Sequence, residues 1–233
     1  MSALIIIPAR GGSKRIPRKN IRPFLGRPIL AHVIQAALES GTSDTVMVST
    51  DDPEIAGIAK EAGAEVPFMR SAENSNDYAV TLAVIREVIE NYRNLGREFQ
   101  YCCCLYATAV LTRPESLRQG KEQLLEEATL DGVLPVVRFD YPIQRAVWID
   151  GQRILMFQPE HCLTRSQDLE PAYHDAGQWY WMRTSGLIRP DFQLLGPSCA
   201  PVVIDSCEVQ DIDNEEDWKM AELKFQLRPR SAM

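Results

Sequence analysis

Features that would place this chain of 233 residues in several common protein classes are missing from its sequence. It has only three histidines and no Cys-x-x-Cys pair among its six cysteines, which argues against a zinc site. No apolar stretch approaches the roughly 20 residues needed to span a bilayer, and the N-terminus enters the first predicted strand without the charged and apolar regions typical of a signal peptide. The net charge of −7 argues against general nucleic-acid binding. We therefore expect a cytoplasmic protein whose partners include neither nucleic acid nor membrane.

The cysteines are consistent with a reducing compartment. Cys102, Cys103 and Cys104 are consecutive within an apolar segment, and the other three are scattered along the chain. Because neighbouring strand residues point to opposite faces, the triplet is predicted to supply small core side chains on both faces of a strand. A catalytic thiol is the alternative interpretation.

Runs typical of strands alternate with runs typical of helices through the first 140 residues. Strands are predicted over residues 4–7, 45–49, 101–106, 132–137 and 178–182, and helices over residues 28–41, 53–62, 80–95 and 114–128, with a terminal helix after residue 213. This alternation predicts a single α/β domain over residues 1–233, with a mostly parallel sheet and helices on both faces. The segment at about 138–178 breaks the pattern and carries a hairpin signal at Asp150-Gly151. We interpret it as an excursion that forms a flap or a subunit contact.

The most informative segment is the loop after the first predicted strand. It places Gly11 and Gly12 among six cations, Arg10, Lys14, Arg15, Arg18, Lys19 and Arg22. The spacing matches neither a P-loop nor the Gly-x-Gly-x-x-Gly of a dinucleotide fold. Clustered cations repel unless an anion lies among them, and adjacent glycines let backbone N–H groups approach it closely. A polyphosphate is the natural candidate, and a solvated basic loop is the alternative.

Two carboxylates near the C-terminus are candidate metal ligands. Asp211 and Asp213 flank Ile212, and strand periodicity would place both carboxylates on one face while Ile212 enters the core. Paired carboxylates repel unless a cation lies between them, and oxygen ligands suit Mg²⁺. Asp213 followed by Glu216 is equally typical of a helix N-cap with a capping box. Asp211 is therefore the better candidate.

Two polar loops complete the set of candidate binding segments. Residues 70–78 precede a predicted helix and carry many groups suited to reading a base or a sugar; a solvated loop with Asp77 as a cap is the alternative. Residues 165–178 combine cationic, amide and aromatic groups, a mixture that suits a polyhydroxylated acid with Arg165 on its carboxylate. His174 in this segment is more typical of a structural hydrogen-bonding residue.

At these residues the chain resembles the cytidylyltransferases that activate nine-carbon 2-keto sugar acids, from Ile6 to about Lys224. The resemblance is carried by residues 8–14 with 19–20, by residues 48–51, by Arg70 with Asp77, and by residues 211–213. Residues 141–145 and 165–178 look like the pseudaminic acid branch of this family. The neuraminic acid branch usually carries Lys where this chain has Gln144, and Arg-Pro-Asn-Gly in place of residues 174–177.

The resemblance implies a fold and a reaction. The fold is the Rossmann-like nucleotide-diphospho-sugar transferase fold, with a small dimerisation excursion that packs across the interface of a homodimer. The reaction joins CMP from CTP to the sugar acid, most closely pseudaminic acid, and releases pyrophosphate with the help of Mg²⁺. The alternatives are the same reaction on legionaminic, neuraminic or 3-deoxy-octulosonic acid, or a catalytically silent sugar-nucleotide-binding subunit.

The resemblance also implies roles for individual residues. The catalytic residues would be Lys14, Lys19 and Asp211. The residues implied to bind the nucleotide are Arg10, Gly11, Gly12, Ser13, Lys14, Asn20, Arg70, Ala79 and Thr81. The residues implied to bind the sugar acid are Gln144, Arg165, Tyr173 and Tyr180, and those implied to bind Mg²⁺ are Asp211 and Asp213.

The chain departs from the pseudaminic acid branch in one loop. Residues 106–110 read Tyr-Ala-Thr-Ala-Val, where the branch usually reads Tyr-Pro-Thr-Ala-Pro. Without the two prolines the loop loses two fixed φ angles. We therefore expect a less rigid loop near the sugar pocket, while the phosphate and metal residues are unchanged.

Overall fold

A computed structural model describes residues 2–76 and 79–228 as a central sheet flanked by helices. The strands in chain order are β1 (Ala3–Pro8), β2 (Pro23–Phe24), β3 (Arg27–Pro28), β4 (Thr45–Ser49), β5 (Tyr101–Leu105), β6 (Gly132–Arg138), β7 (Val147–Asp150), β8 (Arg153–Met156), β9 (Tyr173–Asp175), β10 (Trp179–Arg183) and β11 (Cys199–Val203). The helices are α1 (Ile29–Ser40), α2 (Pro53–Glu61), α3 (Thr81–Asn94), α4 (Pro114–Glu126), α5 (Thr184–Leu187) and α6 (Glu215–Leu227).

The central sheet has the order β11-β6-β10-β5-β1-β4, and β9 pairs with β6 outside this path. β1 pairs in parallel with β4 and β5, and β11 pairs in parallel with β6. β10 lies antiparallel between β5 and β6, and β9 is also antiparallel. The predicted α/β class with a mainly parallel sheet is therefore confirmed. The carboxyl ends of β1, β4 and β5 meet at one edge of the sheet.

The sheet separates two apolar layers. Ile5, Ile7 and Cys103 belong to the layer that includes side chains of α1, α4 and α6, whereas Cys102 and Cys104 belong to the layer that includes α3. The predicted burial of the cysteine triplet on both faces is confirmed, and burial raises the pKa of the Cys102 thiol to about 12. These thiols are inert core side chains, because a nucleophilic cysteine needs a lowered pKa and exposure.

Most helix boundaries follow from local signals in the sequence. α1 ends at Gly41, which adopts φ +62°, and α2 begins at the N-cap Asp52, whose side chain accepts hydrogen bonds from two backbone N–H groups. The predicted ranges of α1 to α4 agree with the structure to within about two residues. The ribbon of β2 and β3 and the strands β9 and β11 were not predicted from the sequence. Pro201 lies in β11, at the edge of the sheet, where a missing N–H is tolerated.

The segment before α6 differs from the prediction in two respects. Residues 209–213 do not form a strand, although Ile212 is fully buried as expected. The N-cap of α6 is Asn214, whose side chain accepts from the N–H groups of Glu216 and Asp217, and Asp217 completes the capping box. The proposed cap at Asp213 with Glu216 is therefore wrong by one residue, because the adjacent Asn214 offers an equally good side-chain oxygen.

The excursion at 138–178 contains the predicted hairpin, formed by β7 and β8 around Gly151 at φ +58°. The hairpin exposes large apolar side chains, including Ile149 at 76% and Ile154 at 71%. The role of this segment as a flap or subunit contact stays a prediction. Within residues 2–76 and 79–228, none of the helices has both the length and the apolar character that a bilayer span requires.

Candidate functional site

A cavity of about 490 Å³ opens at the carboxyl ends of β1 and β5. We call it the basic cavity, and it is lined by Pro8, Arg10, Ser13, Lys14, Arg15, Lys19, Asn20, Arg70, Asn74, Asn76, Ala79, Thr81, Val84, Tyr106, Ala107 and Thr108. The edge beyond the carboxyl ends of parallel strands is where open α/β sheets bind ligands. Every residue assigned to the nucleotide by sequence lies here except the two glycines.

The two glycines have different surroundings. The N–H of Gly11 donates to Oδ1 of Asp51 at 2.9 Å, and a Cβ at this position would lie 2.6 Å from Oδ2 of Asp52. A side chain at position 11 would therefore push on Asp52 in the loop after β4. A Cβ at Gly12 would meet nothing within 4 Å. Neither glycine lines the basic cavity, so their contact with a ligand stays a prediction.

The six cations of the loop divide into two groups. Arg10, Lys14, Arg15 and Lys19 line the basic cavity. Arg18 instead contacts the carboxylates of Asp52 and Glu54, and Arg22 forms a bidentate pair with Glu215 while stacking on Trp218. Arg18 and Arg22 therefore fasten the loop to α2 and α6. The sequence placed all six in one cluster because local spacing does not show which carboxylates approach from distant helices.

Lys19 joins the basic loop to the carboxylate pair. Its Nζ donates to the carbonyl of Ile212 at 2.6 Å and lies 3.8 Å from Oδ1 of Asp213. Nη1 of Arg15 is 2.6 Å from Oδ2 of Asp213. Burial lowers the pKa of Lys19, and the charges of Asp213 and Asp211 oppose this shift. Cations and carboxylates from opposite ends of the chain thus meet at one edge of the cavity.

The donor set at this edge suits a hard cation that also takes oxygens from a phosphate. Asp211 is exposed and Asp213 is half-buried. In the described part of the chain there is no group of three or more His, Cys, Asp or Glu side chains that could hold a metal. Mg²⁺ commonly binds through one or two carboxylates together with substrate phosphates and water, so Asp211 and Asp213 could hold it in that way.

Arg70 forms the buried wall of the basic cavity. Its side chain donates from Nε to Oγ of Ser49 at 3.0 Å and from Nη2 to the carbonyl of Ser49, and the residue is only 9% exposed. Burial lowers its pKa, while the charges of Asp51 and Glu87 act in the opposite direction. A guanidinium held in this way presents a fixed set of donors to a ligand.

The loop after Arg70 adds two cavity residues, Asn74 and Asn76, that sequence reasoning did not select individually. The available signal was the density of amide and hydroxyl side chains in residues 70–78. Asp77, which the resemblance paired with Arg70, lies outside the described residues. Tyr106, Ala107 and Thr108 also line the basic cavity, so the loop expected near the sugar pocket borders the cavity that holds the residues assigned to the nucleotide.

The loop that lacks the two prolines is nevertheless held in place. Backbone hydrogen bonds join Ala109 to Tyr106, Val110 to Thr108, and Thr112 to Ala109, at 2.8–3.0 Å. All residues from 109 to 112 are buried, as is Ala107. Burial and three turns therefore constrain this loop in place of the fixed φ angles of proline.

The residues assigned to the sugar acid do not line the basic cavity. Gln144 donates from Nε2 to the carbonyl of Glu170 at 2.9 Å, Arg165 pairs with Asp168 at 2.7 Å, and Tyr173 lies exposed on β9. Tyr180 is buried within the sheet. The sequence did not indicate this, because strand periodicity alone does not show how closely the next layer covers a side chain.

Tyr180 forms part of the wall behind the basic cavity. Its hydroxyl donates to Oδ2 of Asp175 at 2.6 Å, and its ring lies 5.5 Å from that of Tyr106. The hydroxyl of Tyr106 is in turn 3.2 Å from that of Thr81. Burial raises the pKa of Tyr180, so its hydroxyl stays neutral and serves as a hydrogen-bond donor.

A second cavity, of about 390 Å³, includes Asp211, whose charge acts on Lys19 of the basic cavity. It is lined by residues 174–177 and 209–211, together with Val137, Ser206 and Lys224. It therefore combines the segment that distinguished the pseudaminic acid branch with the candidate metal ligand Asp211. Gln144, Arg165 and Tyr173 line neither cavity.

Comparison with known proteins identifies the family. The sequence matches the family model described as cytidylyltransferase over residues 4–190. The chain belongs to the cytidylyltransferase family. It is 40% identical over all 233 residues, and over the full length of the relative, to a pseudaminic acid cytidylyltransferase of Campylobacter jejuni subsp. jejuni serotype O:2. It is 31% identical, over 97% of each chain, to the CMP-N,N'-diacetyllegionaminic acid synthase of Legionella pneumophila subsp. pneumophila.

The fold of this cytidylyltransferase is shared with solved structures. It superposes on CMP:2-keto-3-deoxy-manno-octonic acid synthetase complexed with CTP with a TM-score of 0.72, covering 97% of this chain and 99% of the other at 18% identity. This likeness confirms the predicted Rossmann-like α/β fold. The basic loop and Arg70 lie within the family match, whereas Asp211 and Asp213 lie in the part covered by the full-length relatives.

Proposed function

We propose that this cytidylyltransferase transfers CMP from CTP to pseudaminic acid and releases pyrophosphate. The observation that carries the proposal is the 40% identity to a pseudaminic acid cytidylyltransferase over the full length of both chains. The geometry supports it, because the basic cavity has the volume of a small-molecule site and combines cations with amide and hydroxyl groups.

The lining of the basic cavity suits both parts of CTP. We propose that Arg10, Ser13 and Lys14 hold the triphosphate, and that Gly11 and Gly12 let backbone N–H groups approach its phosphates closely. We propose that Asn20, Arg70, Ala79 and Thr81 line the base and ribose. The cations of the lining suit the phosphates, and its amide and hydroxyl groups together with the fixed guanidinium of Arg70 suit the base and ribose.

In the proposed reaction the anomeric hydroxyl of the sugar acid attacks the α-phosphorus of CTP in line. A new C–O–P linkage forms, the bond from the α-phosphorus to the bridging oxygen breaks so that pyrophosphate leaves, and the hydroxyl proton passes to water. Lys14 and Lys19 contribute by binding and neutralising the negative charge that develops on phosphoryl oxygens. Lys19 is suited to this role because its Nζ is held against the carbonyl of Ile212.

We propose that Asp211 and Asp213 hold Mg²⁺ together with phosphate oxygens of the nucleotide. When bound, the ion would neutralise phosphoryl and pyrophosphate oxygens. The contacts of Asp213 with Arg15 and Lys19 support a site in which cations and carboxylates exchange partners when a polyphosphate arrives.

We propose that the second cavity, next to Asp211, accepts the sugar acid. Its lining by residues 174–177 supports this, because that segment lacks the extra cation of the neuraminic acid pattern. A second candidate is the same transfer to legionaminic acid, which is favoured by the 31% identity to the Legionella synthase.

We further propose that the enzyme is a cytoplasmic homodimer that pairs through the excursion at 138–178. The exposed apolar side chains of β7 and β8 support an interface, since patches of this kind on soluble proteins mark contact sites. Pairing would also explain why Gln144, Arg165 and Tyr173 line neither cavity of their own subunit: they would reach the sugar acid in the partner's site.

The exposed free thiols of Cys162 and Cys207 support the proposed cytoplasmic location, because free thiols are typical of a reducing compartment.

The experiment that tests the reaction is a pyrophosphate-release assay with each of the four ribonucleoside triphosphates and a panel of nine-carbon sugar acids. We expect release only with CTP and only when a sugar acid and Mg²⁺ are present, with a CMP-sugar as the second product by mass spectrometry. Binding of CTP without release for every acid would favour a catalytically silent subunit.

A further inference from the structure

The loop formed by residues 71–76 lines the basic cavity without being part of the apolar core. Asn74 and Asn76 reach the cavity, and all six residues are exposed or half-buried. Apolar packing therefore does not fix the shape of this loop, and its polar contacts must do so.

Three of these contacts converge on one side chain of α3. Oε1 of Glu87 accepts from the N–H of Ser71 at 2.8 Å. Oε2 accepts from Oγ of Ser71 at 3.0 Å and from Nδ2 of Asn74. Within the loop, Oγ of Ser75 donates to the carbonyl of Ser71 at 2.7 Å. Both oxygens of Glu87 thus hold the first half of the loop, to which the second half is tied.

Glu87 also acts on the buried wall of the cavity. It is one of two carboxylates whose charge supports the guanidinium of Arg70, the other being Asp51. Glu87 itself does not line the basic cavity. From a position outside the basic cavity, Glu87 therefore acts on Arg70 through its charge and on the loop through hydrogen bonds.

We propose that Glu87 is a positioning residue for CTP, which holds Asn74 and Arg70 in the arrangement that receives the nucleotide. This inference rests on the proposed function, because it takes the basic cavity as the CTP site. Hydrogen bonds to a charged acceptor are stronger than those between neutral groups, so a neutral side chain of the same size cannot replace the carboxylate.

The test compares Glu87→Gln and Glu87→Ala with Glu90→Gln and Glu90→Ala. Glu90 is the matched control, because it lies one turn further along α3, is exposed, and pairs with Arg93 on the same helix. For Glu87→Gln we expect the KM and Kd for CTP to rise by about tenfold, with a larger rise for Glu87→Ala. The KM for the sugar acid, kcat and Tm should change little, and neither Glu90 variant should weaken CTP binding.

Hydrogen exchange without ligand separates this inference from the proposed function. Faster exchange of the amides of residues 71–76 in Glu87→Gln than in Glu90→Gln is expected whatever the cavity binds. If wild-type protein fails to bind CTP but the two variants still differ in exchange, the proposed function is wrong and the role of Glu87 in holding residues 71–76 stands. The role of Glu87 would be overturned by unchanged exchange or by an unchanged Kd for CTP. It would also be overturned by a fall in kcat accompanied by equal rises in the KM for CTP and the KM for the sugar acid.

Discussion

Individual side chains of the basic loop have separable tasks. Lys14 is exposed at the basic cavity, whereas Arg18 and Arg22 are committed to carboxylates on α2 and α6. Removal of a cavity-facing cation should therefore affect binding and catalysis, while removal of an anchoring cation should also loosen the loop. This difference allows a variant to be chosen that tests the chemistry without disturbing the fold.

Lys14→Ala is expected to lower kcat/KM by an amount equivalent to about 2–4 kcal/mol of transition-state stabilisation. The physical reason is the loss of a positive charge at the triphosphate. The Tm should stay within a few degrees of wild type, because Lys14 is an exposed side chain. Lys60→Ala, which removes an exposed lysine from α2, is the control and should retain full activity. A folded Lys14→Ala enzyme with near-normal kcat/KM would contradict the assignment of the phosphate site.

Asp211→Asn should alter the metal dependence more than the stability. Because Asp211 is exposed and its neighbour Ile212 provides the core contact, we expect the Tm to stay within a few degrees of wild type. Activity should fall, and added Mg²⁺ should restore it only in part. Titration of Mg²⁺ against both proteins measures the effect, with the exposed Asp191→Asn as control. An unchanged Mg²⁺ dependence would show that Asp211 is not a ligand.

At the scale of elements, α4 is positioned by a close approach to β10. A Cβ added at Gly120 would lie 2.5 Å from Cζ3 of Trp179 and 3.1 Å from Cδ1 of Trp181. Both tryptophans are fully buried, and their indole N–H groups donate to Ser116 and Leu117 of α4. Neither ring can move without breaking these hydrogen bonds.

Gly120→Ala should therefore destabilise the protein by about 1–3 kcal/mol through overpacking. Gly57→Ala is the matched control, since Gly57 also lies inside a helix and a Cβ there would meet nothing within 4 Å. That variant should gain roughly 0.5–1 kcal/mol from higher helix propensity. Urea unfolding of both proteins gives the two values. A stabilising Gly120→Ala would mean that α4 packs less closely on the tryptophans.

The sequence predicted the elements that carry strong local signals. Gly41 ends α1, and Asp52 with Pro53 begins α2, because each supplies the backbone conformation or the cap that the boundary requires. It failed where two neighbours were equally suitable, as at Asp213 and Asn214, and where tertiary pairing made the element, as in β11. Local sequence does not indicate which distant strand a segment such as β11 will pair with.

The sequence predicted the separate segments of the candidate site better than the contacts that bring these segments together. The basic loop, the loop after Arg70 and the carboxylate pair were each identified from residue type and spacing. The contact of Lys19 with Ile212 joins segments 193 residues apart, and no local pattern indicates it. The burial of Tyr180 and the holding of residues 71–76 by Glu87 likewise depend on packing between elements.

At the scale of the whole molecule, the excursion should mediate self-association. Sedimentation equilibrium of the wild-type protein should give twice the 26.3 kDa mass of one chain. The double variant Ile149→Asp/Ile154→Asp should be monomeric, because two buried charges at an apolar interface are costly. Leu195→Asp, at another exposed apolar residue, is the control and should stay dimeric. A monomeric wild-type protein, or a dimeric double variant, would contradict pairing through β7 and β8.

If this cytidylyltransferase acts on pseudaminic acid as proposed, the ratio of its kcat/KM values for pseudaminic and neuraminic acid at saturating CTP will show it. Pseudaminic acid has a less polar end, with a deoxy carbon and a second acylamido group, which suits Gln144 and a segment at 174–177 without the extra cation. A site shaped for these groups should discriminate by roughly 1–3 kcal/mol, on the order of tenfold to a hundredfold. We predict that ratio in favour of pseudaminic acid, with legionaminic acid measured alongside. Equal values, or a preference for neuraminic or legionaminic acid, would contradict the claim.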